Sequence, residues 1–235
     1  MKILALESSA TACSVALCED EKLIAQTFQN SGLTHSRTLM PMVESLLAQC
    51  DRTLADIDVV AVAAGPGSFT GLRIGVSTAK GLAWAQDKPC APCSTLESMA
   101  WQLAHMDGII IAAMDARRNQ VYNAVFRARD GQLERLTPDR AIGLAELEEE
   151  INKLEELKIL VGDGAQLCYN EWQERMANLR LAPVHLRWQA AWGVARAALE
   201  LARTDGLVPG EQLVPVYHRL SQAERERLAK EENKQ

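Results

Sequence analysis

The sequence predicts an α/β protein of two similar halves, each a mixed sheet with flanking helices. Two apolar strand-like runs, Ile3 to Leu6 and Ile109 to Met114, each end in a carboxylate, Glu7 and Asp115. After each carboxylate the order strand, strand, helix, strand, helix recurs, a duplication of topology rather than of sequence. With 235 residues, 48% of them hydrophobic, the chain is long enough to bury one large core or two modest ones.

The elements follow in order. Ile3 to Leu6 is continuous and apolar, Ser14 to Cys18 is short and small, and Leu23 to Phe28 alternates loosely. Ser8-Ser9-Ala10-Thr11 and Glu19-Asp20-Glu21 are turns between them. A helix over Ser36 to Cys50 carries Leu39, Val43, Leu46, Leu47 and Cys50 at helical spacing, with Pro41 tolerable only near its start. Ile57 to Ala64 reads as a buried strand, and a second helix runs from Gly71 to Gln86 after a glycine-rich turn. In the second half come Val121 to Arg127 as a hairpin partner, a helix over Ala145 to Leu157, a strand from Lys158 to Val161 and the turn Gly162-Asp163-Gly164. An alanine-rich helix from Ala190 to Arg203 and a loop from Gly206 to Pro215 complete the pattern. The expected division is an N-terminal sub-domain over 1–105, a C-terminal one over 106–222 whose last helix packs back on the first, and a charged tail over 223–235.

A formal charge of −6 gives no global basic field for nucleic acid. Arg117, Arg118, Arg127 and Arg129 read as solvated surface or a small local patch. The N-terminal apolar run is too short for a signal-peptide core, and no uncharged stretch approaches a membrane span of about 20 residues. The six cysteines read as reduced thiols of a cytoplasmic protein.

Gly65-Pro66-Gly67-Ser68-Phe69-Thr70-Gly71, between a strand and a helix, is the sharpest local signal. Such a loop aims backbone N–H groups at an anion, or it is a tight turn letting its helix pack closely on its strand. It fits neither a Walker loop, a dinucleotide fingerprint nor a hydrolase nucleophile elbow. Gly71, Gly75, Ala79 and Ala83 then form a stripe of small residues, either packed on the protein's own sheet or offered to another backbone. The preceding helix is apolar over a broad arc, with Met40 and Met42 off its main stripe, and methionine suits adaptable interfaces. Together these predict a helical face left for a partner.

At these residues the chain resembles the TsaB family, also called YeaZ. The resemblance rests on Ile3-Leu4-Ala5-Leu6-Glu7-Ser8-Ser9 through Leu17, His35-Ser36-Arg37-Thr38-Leu39-Met40-Pro41, Gly65 to Gly75, Asp115-Ala116-Arg117 and Pro215-Val216-Tyr217-His218-Arg219. It implies an actin-like, Hsp70-like ATPase fold. It also implies a non-catalytic scaffold for TsaD, the related subunit that transfers threonylcarbamoyl to the adenosine next to the anticodon of tRNAs reading codons that begin with A. The ATPase TsaE joins the assembly. ATP and metal are then expected on TsaD and ATP on TsaE, with nothing bound tightly by this chain and tRNA touched only indirectly. The implied interface comprises Leu39, Met40, Met42, Val43, Leu46, Gly71, Leu72, Gly75, Ala79 and Ala83. Gly75→Leu is expected to break the TsaD complex and leave the monomer folded, and the same face is expected to form a homodimer when the chain is alone.

Where TsaD-type relatives carry a metal-binding His-x-x-x-His, this chain has Thr95-Leu96-Glu97-Ser98-Met99. Glu7, Ser8, Ser9, Asp115, Gly162 and Gly164 read as a vestigial nucleotide site, with Arg117 and Arg118 crowding any phosphate tail. Two rivals remain. One is an ATP-dependent phosphotransferase keeping Glu7 and Asp115 on magnesium. The other is a redox or metal protein built on Cys90-Ala91-Pro92-Cys93, just before a helix with a Ser94/Glu97 capping box.

Overall fold

Two sheets of matching topology organise residues 1–218, the part of the chain that the computed structural model describes. In the first, β1 (Lys2–Glu7), β2 (Cys13–Glu19) and β3 (Lys22–Gln29) form an antiparallel meander. Here β4 (Val59–Gly65) and β5 (Cys90–Ser94) add in parallel, giving the order β3-β2-β1-β4-β5. In the second, β6 (Gly108–Asp115), β7 (Gln120–Arg129) and β8 (Gln132–Arg135) repeat the meander, and β10 (Lys158–Val161) and β11 (Leu179–Leu181) add in parallel. The order β11-β10-β6-β7-β8 is the same arrangement read from the other edge, with β9 (Arg140–Gly143) also paired to β7.

Alternation along β1 decides what covers each face. Leu4 and Leu6 point into a core shared with α1 (His35–Gln49) and α2 (Phe69–Ala85), while Ile3 and Ala5 point into one shared with α6 (Ala191–Arg203). The second sheet does likewise: Ile109 and Ile111 face α4 (Leu144–Ile151) and α5 (Ala165–Trp172), and Ile110 and Ala112 face α3 (Thr95–Trp101). Thus α3, from the first half of the sequence, covers the second sheet, and α6, from the second half, covers the first. The two cross closely: a Cβ on Gly193 of α6 would fall 1.9 Å from the Ser98 carbonyl oxygen of α3. Only glycine fits there.

Several local expectations change. Cys90–Ser94 does precede a helix, as expected, but is itself a strand that the sequence did not mark, and Pro92 is tolerated because β5 is an edge strand. Ser94 caps α3 by accepting from Glu97 N at 3.1 Å, but the reciprocal half of the box is missing. Arg135 draws the Glu97 carboxylate away at 2.6 Å. Pro41 lies inside α1, exposed in its second turn, rather than at its start. α4 stops at Ile151 rather than Leu157. The charged tail at 223–235 lies outside the described residues.

Candidate functional site

The glycine loop closes on its own chain. Ser68 N donates to Ser9 O at 2.6 Å and Ser8 Oγ to Gly71 O at 2.9 Å. A Cβ on Gly67 would meet Ser9 O at 2.5 Å, and one on Gly71 would meet Ser8 O at 2.1 Å. These glycines therefore serve a tight turn pressed against the β1–β2 connection, with Ser68 Oγ capping α2 at Gly71 N, 3.4 Å away. The segment Leu213 to Tyr217 lashes down the other side. Val216 N donates to Ala64 O at 2.7 Å, and Tyr217 stacks on Phe69 with ring centroids 5.0 Å apart. Arg73 lies 3.8 Å over the Phe69 ring and donates from Nε to the Tyr217 hydroxyl at 3.2 Å.

The helix faces require a correction. Gly71, Leu72, Gly75, Ala79 and Ala83 on α2, and Leu39, Met42, Val43 and Leu46 on α1, are buried in the chain's own core. A Cβ on Gly75 would meet Ser8 Oγ at 2.4 Å and Val62 Cγ2 at 3.3 Å, so the small stripe lets α2 lie on its own sheet. Of the expected interface residues only Met40 is exposed. α2 carries a second small stripe, Ser77, Gly81 and Ala85, and this one faces solvent. Nothing lies within 4 Å of a Cβ built on Gly81. Ile74 and Leu82 are half-buried beside the stripe, and Trp84 is 89% exposed. Trp84 also borders a cleft of about 480 Å³ lined by Lys80, Gly81, Lys88, Gly210 and Glu211. Met40, Pro41, Glu44, Ser45 and Ala48 form the exposed side of α1. Sequence reasoning found the helices and missed the stripe, although the spacing of Ser77, Gly81 and Ala85 was available to it.

Between the sheets lies a buried polar joint. Glu7 is fully buried; its Oε1 accepts from Ser9 N at 2.6 Å and its Oε2 has no partner. Burial pushes its carboxyl up to about 7, and the Asp163 charge adds to this. Asp163, raised chiefly by burial, accepts from Gln189 Nε2 at 2.6 Å. The hydroxyls of Ser9 and Thr95 and the Gln189 Oε1 are likewise buried without partners. Gly162 and Gly164 fold tightly onto the end of β6, where their Cβ atoms would lie 2.2 Å from Ala113 O and 2.9 Å from Asp115 N. Glu7, Ser8, Ser9, Gly162 and Gly164 thus gather at the joint, while Asp115 sits exposed at its rim. Asp163 and Gln189 belong to the joint although sequence reasoning did not assign them to it. Among the described residues no group of three or more His, Cys, Asp or Glu side chains could hold a metal ion.

Beyond Asp115 the β6–β7 turn is left-handed. Arg117, Arg118 and Asn119 have φ of 62°, 57° and 55°. Consecutive non-glycine residues there cost roughly 1–2 kcal/mol each. One side-chain and one backbone acceptor hold them: Asp115 Oδ1 accepts from Arg117 N at 2.7 Å and Asn119 O from Leu144 N at 3.2 Å. Arg127 and Arg129 stand at the far end of the ten-residue β7, about 30 Å away, so the four arginines form no single patch. Arg127 is moreover tied to Glu134 and Glu156, both at 3.0 Å.

Cys90 and Cys93 sit on β5 with their side chains in the cores on opposite faces of the sheet. Burial raises both thiols. That arrangement suits neither a disulfide pair nor shared metal ligation.

Comparison with known proteins agrees with this architecture. Residues 28–177 match the family profile described as TsaD, tRNA N6-adenosine threonylcarbamoyltransferase. The chain is 34% identical to the tRNA threonylcarbamoyladenosine biosynthesis protein TsaB of Bacillus subtilis, covering 95% of this chain and 96% of that one. It is 33% identical to TsaB of Escherichia coli, covering 93% and 95%. The structure of YeaZ from Pseudomonas aeruginosa superposes with a TM-score of 0.77 at 26% identity, covering 92% of this chain and 99% of that one. Nearly full-length identity to TsaB proteins, joined to the fold of YeaZ and the duplicated sheet topology, places this chain in the TsaB family of tRNA threonylcarbamoyladenosine biosynthesis proteins.

Proposed function

We propose that this chain is a non-catalytic scaffold that binds a TsaD-type transferase through the exposed faces of α1 and α2. The observation that carries this reading is the solvent-facing stripe Ser77, Gly81 and Ala85 beside the exposed Trp84. Small residues let another helix approach closely, and a solvent-exposed tryptophan is a characteristic interface anchor. Binding that favours one conformation of the transferase raises that conformation's population. The nucleotide and metal reside on the transferase, and a TsaE-type ATPase joins the assembly in the cytoplasm. The same α1–α2 face pairs with a second copy when no transferase is present. Among the described residues no helix is long and apolar enough to cross a membrane.

Light-scattering chromatography of the chain alone and with its TsaD-type partner tests this, with ATP hydrolysis measured on each peak. A homodimer that converts to a mixed complex and is silent towards ATP by itself is the expected result. Gly81→Leu should abolish the mixed complex while the monomer stays folded, because the position is open to solvent. Normal partner binding by Gly81→Leu together with Trp84→Ala would remove this surface from consideration. ATP turnover by the isolated chain would favour the phosphotransferase reading.

A further inference from the structure

We propose that Arg117 and Arg118 form a phosphodiester-binding fork on the β6–β7 turn, through which the chain touches the RNA that its partner transferase modifies. This rests on the scaffold reading above and departs from the expectation that tRNA is touched only indirectly. Both side chains are exposed, and neither has a carboxylate partner within salt-bridge distance among the described residues. Arg127, Arg135, Arg175, Arg196 and Arg203 each have a carboxylate within 3.1 Å, whereas Arg37, Arg52, Arg73, Arg180 and Arg187 have none within salt-bridge distance among the described residues; adjacency on one turn is what sets Arg117 and Arg118 apart. In a chain of net charge −6, two adjacent unpaired guanidinium groups stand out.

The turn also fixes where the two side chains leave the backbone. Its left-handed backbone is tied by Arg117 N to Asp115 Oδ1 at 2.7 Å, by Ala116 N to Gln120 O at 3.0 Å, and by Gln120 N to Arg117 O at 3.2 Å. Those bonds use backbone groups and leave the guanidinium forks for a ligand. Guanidinium geometry matches the paired oxygens of a phosphate better than an ammonium does.

The surrounding charges decide which phosphate fits. Glu7 is buried and Asp163 half-buried in the joint behind the turn, and Asp115 lines its rim. A polyphosphate tail drawn into the joint would meet those carboxylates. A singly charged backbone phosphate lying across the outside of the turn would not. RNA is therefore favoured over a bound nucleotide.

The test uses the assembled complex of this chain, its transferase partner and the TsaE-type ATPase. Arg117→Gly combined with Arg118→Gly removes both forks while keeping the backbone conformation, since glycine adopts positive φ freely. Fluorescence anisotropy with labelled tRNA over a salt series is expected to show about a tenfold loss of affinity. The slope of log affinity against log salt should fall by about 1–2, one phosphate contact per arginine. Assembly by light scattering and ATP affinity should stay unchanged, and Arg129→Ala should bind tRNA normally. Wild-type affinity and slope in the double variant would overturn the proposal, as would loss of ATP binding at unchanged tRNA affinity. Failure of the wild-type chain to assemble, seen before RNA is added, overturns the scaffold reading and this inference with it.

Discussion

Alanine at Gly75 and at Gly81 should shift stability in opposite directions, although both glycines lie inside α2. Alanine gains about 0.8–1 kcal/mol over glycine in a helix interior. At Gly81 a new Cβ meets nothing within 4 Å, so that gain stands alone. In a domain of this size it raises Tm by about 2–4 °C. At Gly75 the Cβ would lie 2.4 Å from Ser8 Oγ, which is itself held by Gly71 O at 2.9 Å. Either α2 lifts from its sheet, at about 1–3 kcal/mol for overpacking, or Ser8 rotates and strands a buried polar group at about 1–3 kcal/mol. Either cost, less the helix gain, leaves a net loss of up to about 2 kcal/mol. Urea unfolding followed by circular dichroism reads both variants through the midpoint at constant m. Ser8→Ala removes the obstructing hydroxyl and leaves Ser8 Cβ at 3.8 Å, an ordinary contact, so the double variant Ser8→Ala with Gly75→Ala should lose less than the two singles combined. Strict additivity, or a stabilised Gly75→Ala, would refute the packing described for α2. By the same geometry Gly75→Leu should destabilise the monomer more than Gly75→Ala does, so it is not a clean interface probe, contrary to expectation.

Three further outcomes follow from the site. The Glu7 carboxyl, raised from 4.5 to about 7, is protonated in the folded chain over a range where the unfolded chain is ionised. Stability should therefore be greatest below pH 4.5 as far as this group is concerned, fall between 4.5 and 7, and level off above; that interval corresponds to about 3 kcal/mol. Glu7→Gln should flatten this slope in denaturation series at several pH values, and an unchanged slope would show that Glu7 is not the group responsible. Tyr217→Ala, losing the Phe69 stack and the Arg73 hydrogen bond, should cost about 1–2 kcal/mol and speed amide exchange at Val216, read by hydrogen–deuterium exchange. In the native chain a thiol reagent should label the half-exposed Cys50 first, and the five buried cysteines only on unfolding. Rapid native labelling of Cys90 or Cys93 would reopen the redox reading.

The strands that carry the joint were legible because they are continuous apolar runs ending in turns: β1, β4, β6 and β10 all follow that pattern. β8, β9 and β11 are short, exposed or half-buried except at Ile142, and lack the continuous apolar run that marks β10, itself of four residues. β5 was hidden by Pro92 and by small residues whose strand character comes only from pairing with β4. The glycine loop and the α2 stripe were found but not resolved. A row of small residues has the same spacing whether it faces a sheet or a partner, and only the positions of Ser8 and Val62 decide it. The joint was half legible, since Glu7 and Gly162 mark it in sequence. Its Asp163–Gln189 hydrogen bond and the exchange of α3 and α6 between sheets are tertiary facts without a local signature.

The duplication supplies an internal control for the partner surface. α1 and α2 cover the outer face of the first sheet as α4 and α5 cover that of the second. The two layers hold equivalent places and bury equivalent apolar faces, so a difference between their exposed sides is not required by the fold. On α4 and α5 the exposed side carries Glu146, Glu149 and Glu171. α2 contains no carboxylate at all and exposes Ser77, Gly81, Trp84 and Ala85, with Arg73 at its start. Solubility alone would favour charge in both places. A layer whose exposed charges are carboxylates in one half, and one with small residues, an exposed tryptophan and a slight basic excess (Arg37, Arg73 and Lys80 against Glu44) in the other, is what a scaffold needs if only one half docks. The same asymmetry separates the two proposed contacts: protein against α1 and α2 in the first half, RNA phosphate on the Arg117–Arg118 turn in the second.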